Sequence, residues 1–92
     1  MRRLEVIANQ SVQEDIIEGL AAAVPGFQYT LITPAYGAGI RRKKLGDVVW
    51  PEMNFILIAY MDGPEAETAR GILAGLKQRF PEEGISFFDM GD

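Results

Sequence analysis

The side chains that ordinarily carry reactions are scarce in this chain. It has neither histidine nor cysteine, which removes the commonest acid–base groups, the thiolate nucleophile and the soft metal ligands. Serine occurs at Ser11 and Ser86. Ser11 opens the run Ser11-Val12-Gln13-Glu14, which reads as a capping box, a hydroxyl and a carboxylate that satisfy the first free amides of a helix. Ser86 falls inside an alternating segment and reads as a strand residue. Glu82 and Glu83 are adjacent acids at a turn, a setting in which carboxylates are solvated. These residues point away from catalysis, and the chain is expected not to be an enzyme.

Its cations carry more information. Four of the nine Lys and Arg residues form one block, Arg41-Arg42-Lys43-Lys44. That block lies in a stretch without clear periodicity, Pro34 to Pro51, longer than the ~12–15 residues beyond which structureless connections are commonly functional or disordered. Gly37, Gly39 and Gly46 supply hinges there, since glycine tolerates backbone angles closed to other residues. Adjacent cations repel and resist compaction. The segment from Ala35 to Trp50 therefore reads as a mobile arm whose cationic tip reaches an anionic partner surface or closes over a small anionic ligand. Gly37-Ala38-Gly39 is no dinucleotide fingerprint, which needs a strand before it, a helix after it and a third glycine. Tyr36 and Trp50 flank the arm. Anchoring its base to the body is their expected role, with stacking on a planar ligand as the alternative.

The rest of the chain limits the partners. A length of 92 residues fits one domain over residues 1–92, and a hydrophobic share of 48% is ample for a core. The net charge of −4 argues against general affinity for phosphate backbones, so DNA is not expected as a partner. Without cysteine no disulfide forms, and a reducing cytoplasm suits the chain. The N-terminus leads into a patterned strand rather than a signal peptide. No apolar run is long enough for membrane insertion.

Hydrophobic period places the elements that must hold the arm. Arg3 to Asn9 alternates, with Leu4, Val6 and Ala8 opposed to Glu5, Ile7 and Asn9. Val12, Ile16, Ile17, Leu20, Ala21 and Val24 then recur at helical spacing until Pro25-Gly26. Phe27 to Thr33 alternates again. Met53 to Met61 is the strongest strand, with Met53, Phe55, Leu57, Ala59 and Met61 on one side. Asp62-Gly63-Pro64-Glu65 opens a second helix, with Pro64 suited to its first turn. Its apolar stripe runs through Ala66, Ala69, Ile72, Leu73, Leu76 and Phe80. Pro81 ends it, and Ile85 to Asp89 forms the last strand.

The order β-α-β-β-α-β predicts an α+β, ferredoxin-like fold: a four-stranded antiparallel sheet with two helices on one face, a long loop between the second and third strands, and the first and third strands central. A sheet covered on one side should be polar on the other. Here the third strand's other side carries Ile56, Ile58 and Tyr60, with Ile7 and Phe88 or Ile32 expected beside them. Contiguous apolar residues of this kind mark an interaction surface. The expectation is a homo-oligomer packed through its sheets.

With these features together the chain resembles the PII-like superfamily of signal-transduction proteins. The resemblance spans nearly the whole length and rests on layout: a short charged first strand at Arg2-Arg3-Leu4-Glu5-Val6-Ile7, a second strand from Gly26 to Thr33 running into Gly37 to Gly39, a long basic arm in the place of the family's T-loop, and a third strand entered through Pro51. It implies a cytoplasmic homotrimer of the nitrogen regulatory protein P-II type. Such a protein senses a small ligand in clefts between subunits and contacts a transporter, enzyme or regulator through the arm, here through Tyr36, Gly37, Gly39, Arg41, Arg42, Lys43, Lys44 and Trp50. ATP or ADP is the ligand the resemblance implies. The residues speak against it. Where the family's nucleotide binders carry a glycine- and lysine-rich phosphate loop, this chain has Phe80-Pro81-Glu82-Glu83-Gly84, whose two carboxylates repel a phosphate. Glu52 and Asn54 stand where the family has lysines, and no tyrosine occupies the arm's tip.

Two other classes share the predicted order. CutA-like or ACT-like small-molecule-binding trimers do so without catalysis. An RNA-recognition module does so too, but it requires a basic surface and base-stacking aromatics on the open sheet, and the third strand here lacks its basic-glycine-aromatic pattern.

Overall fold

The computed structural model describes residues 1–37 and 52–91. The first strand, β1 (Arg2–Asn9), runs through a short 3-10 turn (Gln10–Val12) into α1 (Gln13–Ala23); β2 (Thr30–Gly37) and β3 (Glu52–Met61) follow, then α2 (Gly63–Arg79) and β4 (Ser86–Met90). The sheet order is β2-β3-β1-β4 with every pairing antiparallel. This is the expected ferredoxin-like arrangement with β1 and β3 at its centre.

One side of the sheet holds the core. Leu4, Val6, Ala8, Phe55, Leu57 and Ala59 are withdrawn from water, and they pack with Ile16 and Leu20 of α1 and Ala66, Ala69 and Leu73 of α2. Burial alternates along β1 and helical residues recur at helical spacing because each element turns one side inward. The helices also touch one another closely. A Cβ on Gly19 would lie 3.2 Å from Ile72 Cγ2.

The start of α2 is as expected. Asp62 accepts from the Glu65 amide at 2.8 Å, the Glu65 carboxylate accepts from the Asp62 amide at 3.2 Å, and a proline stands in the first turn.

Three expectations need correction. The capping box at Ser11 is absent: Asn9 Oδ1 accepts from the Ser11 amide at 2.9 Å, and α1 begins after Val12 without a side-chain cap. Ser11 Oγ instead donates to Glu83 Oε2 at 2.7 Å. The second strand starts at Thr30 rather than Phe27, because Phe27 turns in against the core and stacks on Tyr29, ring centroids 5.2 Å apart. It also runs past Pro34 to Gly37. The register shifts between Ile32 and Ala35, and the outer strand of a sheet tolerates a residue without an amide hydrogen. Alternation in the sequence is interrupted at that shift, which is why Pro34 to Gly37 resembled loop.

Candidate functional site

Two regions are candidates for a functional site: the uncovered face of the sheet, and the ground between the arm's base and the turn after α2.

The uncovered face is fixed by register. Across its middle run Thr30, Ile58, Glu5 and Phe88, paired in sequence across the four strands. The next row on one side is Ile32, Ile56, Ile7 and Ser86; on the other, Tyr60, Arg3 and Met90. Ile7, Ile56, Ile58 and Tyr60, the residues expected at an oligomer interface, therefore lie together on one face, and Ile32 and Phe88 both join them. Ile7, Ile56 and Ile58 are partly buried, whereas Tyr60, Phe88 and Ile32 keep 59%, 51% and 47% of their exposure.

Polar residues enter this apolar patch at its centre. Arg3 Nε and Nη2 reach Glu5 Oε2 at 2.9 and 2.8 Å, and Arg3 Nη1 donates to the Tyr60 hydroxyl at 3.1 Å. The guanidinium also lies 5.9 Å from the Tyr60 ring centroid, within cation–π range. Neither Arg3 nor Glu5 was singled out from the sequence. The signal was nonetheless present, since Glu5 alternates in phase with Ile7 and the period of a strand puts both on one side.

The arm's expected site residues divide. Gly39, Arg41, Arg42, Lys43, Lys44 and Trp50 lie outside the described residues. Tyr36 and Gly37 belong to β2, opposite Met53 and Glu52. Tyr36 is 68% exposed and Met53 44%, so Tyr36 does not anchor the arm to the body as expected. The pair shares the phase of Phe55 and Leu57 but receives no cover from the described residues. Gly37 has a local reason to be glycine: an added Cβ would lie 2.9 Å from Asn54 Nδ2.

The turn after α2 is closed on itself. Glu83 N–H donates to the Phe80 carbonyl at 3.2 Å, and the Glu83 carbonyl accepts from Asn9 N–H at 3.4 Å. The Glu83 carboxylate takes the Ser11 hydroxyl, and Pro81 has no amide hydrogen to give. Beside this link opens a cleft of about 490 Å³, lined by Gln10, Ser11, Gln13, Glu14, Asp15, Glu18 and Thr33. A phosphate needs convergent amides or fixed cations. The turn presents a carboxylate instead, and the cleft adds three more, so these residues do not fit a nucleotide's phosphates. Among the described residues no group of three or more Asp or Glu side chains is placed to hold a metal ion, and no helix is long and apolar enough to cross a membrane.

No protein-family model and no curated protein matches the sequence. Solved structures do. The chain is similar to CPII, a nitrogen regulatory PII-like protein from Thiomonas intermedia K12. Against its complex with ADP, AMP and acetate the TM-score is 0.67 at 20% identity, covering 97% of this chain and 82% of that one. Against its complex with ADP, AMP and bicarbonate the TM-score is 0.64 at 22% identity, covering 99% and 92%. A protein from Thermus thermophilus classed with the PII-like signaling proteins gives 0.62 at 22% identity, covering 96% and 82%. At such identities the likeness is one of fold, and it agrees with the resemblance read from the residues.

Proposed function

We propose that this chain is a PII-like regulatory protein that acts without catalysis in the cytoplasm. Copies pack as a homotrimer through the uncovered sheet face, a small ligand is sensed in clefts between subunits, and a target protein is contacted through the arm that carries Arg41 to Lys44. The observation that carries this reading is the likeness to CPII over 97% of the chain at a TM-score of 0.67. An apolar face left uncovered by the chain's own helices supports the assembly, because patches of that kind mark interaction sites.

The ligand is where this chain departs from its structural neighbours. CPII has been solved with ADP, AMP, and acetate or bicarbonate. The closed turn and the acidic cleft disfavour phosphates here, which leaves anion binding to cations elsewhere, the block Arg41 to Lys44 first among them. Affinity for ATP or ADP no tighter than roughly millimolar follows, about 4 kcal/mol of binding, and the sensed ligand is a different small anion.

A thermal-shift screen of nucleotides, organic acids, amino acids and RNA, followed by titration calorimetry of each hit, tests the proposal. A ligand that binds the folded state raises the melting temperature by mass action. Stabilisation by a small non-nucleotide anion is expected. Micromolar ADP or ATP binding would show that the arm outweighs the turn, and binding of RNA alone would overturn the regulatory reading.

A further inference from the structure

The chain carries a net charge of −4, so two copies repel one another on average. Within the three strand rows of the uncovered face the balance is different. Arg3 and Glu5 are the charged groups there, they are of opposite sign, and they touch at 2.8 Å. Their charges cancel inside one chain. The pair lies on the central strand, with Ile58 and Phe88 on either side of Glu5 and Ile7 next to it along the strand. The Glu5 side chain already retains only 24% of its exposure and Arg3 39%, and Tyr60 takes up a further guanidinium N–H.

A face built this way has a definite partner. A protein with a strong charge of either sign meets no unbalanced charge to hold it. An identical face meets apolar surface and no like-charge clash, because neutrality is supplied by each copy for itself. From this, and resting on the homo-oligomer proposed above, we infer that the Arg3–Glu5–Tyr60 network is the polar centre of the self-association face, where it neutralises Glu5 within each chain so that a second copy can cover it.

The consequence is specific. Covering the face removes water from both charges. If one is then deleted, the other is left buried and unpaired, which is strongly destabilising. If both are replaced by apolar residues of similar size, little is lost, because dehydrating an ion pair offsets most of what the pair supplies. Single and double variants should therefore differ in a way that simple loss of contact area would not produce.

The test is multi-angle light scattering across a concentration series on wild type, Arg3→Leu, Glu5→Leu, the conservative Glu5→Gln, and the double variant Arg3→Leu/Glu5→Leu, with circular dichroism on each. Each single variant should associate about 100-fold more weakly or worse, Glu5→Gln included, with an unchanged circular dichroism spectrum. The double variant should return to within about 10-fold of wild type. Single variants that associate like wild type would overturn the inference while leaving the oligomer standing. A double variant as weak as the singles would also overturn it, since the charges would then be contacting the partner directly. A wild-type chain that is monomeric throughout would remove the oligomer itself, and that outcome is read before any variant is compared.

Discussion

Leu4, Val6, Phe55 and Leu57 leave β1 and β3 on one side and lie beneath α1 and α2, out of water; Glu5, Ile7, Ile56 and Ile58 leave the same strands on the other side and have no such cover from the described residues. Both sides are dominated by apolar side chains at the centre of the sheet. The difference is what closes them. On the helix side Ala66 and Ala69 allow close approach, and the Asp89 carboxylate at the edge of the core, 7% exposed, is paired with Arg2 at 2.8 Å. On the other side Arg3 and Glu5 are tolerated because part of their surface is still wet. The contrast separates two kinds of apolar residue that composition cannot tell apart: those that hold the fold together, and those available to hold copies together.

The largest effect should come from the helix side. Leu57→Ala removes a fully buried side chain from the core and should destabilise by about 2–5 kcal/mol, read as a lower urea midpoint at every protein concentration. Ile56→Ala, one position away and partly exposed, should lower the stability of dilute protein by under about 1 kcal/mol and weaken association instead. Equal losses from both variants, independent of concentration, would break the comparison between the faces.

A smaller effect tests the devices that hold the covering helices. Asp62→Ala removes the side-chain oxygen that caps α2 and should cost about 0.5–2 kcal/mol. Ser11→Ala loses its hydrogen bond to Glu83 rather than a cap, worth about 1 kcal/mol at most for a group this exposed. A larger penalty at Ser11 than at Asp62, measured by chemical denaturation, would mean that the link between the 3-10 turn before α1 and the turn after α2 matters more than the geometry implies.

Least of all should happen to the fold when Arg41, Arg42, Lys43 and Lys44 are replaced by Ser. Four adjacent like charges repel one another and contribute little to stability, and the change should stay within about 0.5 kcal/mol. Binding to an anionic target should weaken and lose its salt dependence. A quadruple variant that binds its target as wild type does would remove the arm from recognition.

The fold was legible because its signals are periodic. Strands that alternate and helices that carry apolar stripes leave few topologies once crossovers are right-handed, and the Asp62-x-x-Glu65 cap repeats a local pattern with a local cause. Legibility failed where a local pattern had a distant competitor. Ser11 had the spacing of a cap, but Asn9 stands just before it with its own side-chain oxygen, and Glu83 captures the hydroxyl from 72 residues away. Pro34 to Gly37 lost its alternation to a register shift that only pairing with β3 defines. The open face was half legible. Its isoleucines stood out by hydrophobicity, whereas Arg3 and Glu5 became interesting only when register set them between Ile58, Phe88 and Tyr60.

The central claim is that the uncovered face is an interface between copies of this chain. Light scattering at micromolar concentration on wild type and Ile58→Glu tests it most directly, because an acid at Ile58 would be buried without a partner on association while remaining solvated in a single folded chain. Wild type should scatter with three times the 10.2 kDa chain mass, and the variant as a folded monomer. A wild-type protein that scatters as one chain, or an Ile58→Glu variant that assembles as wild type does, would contradict it.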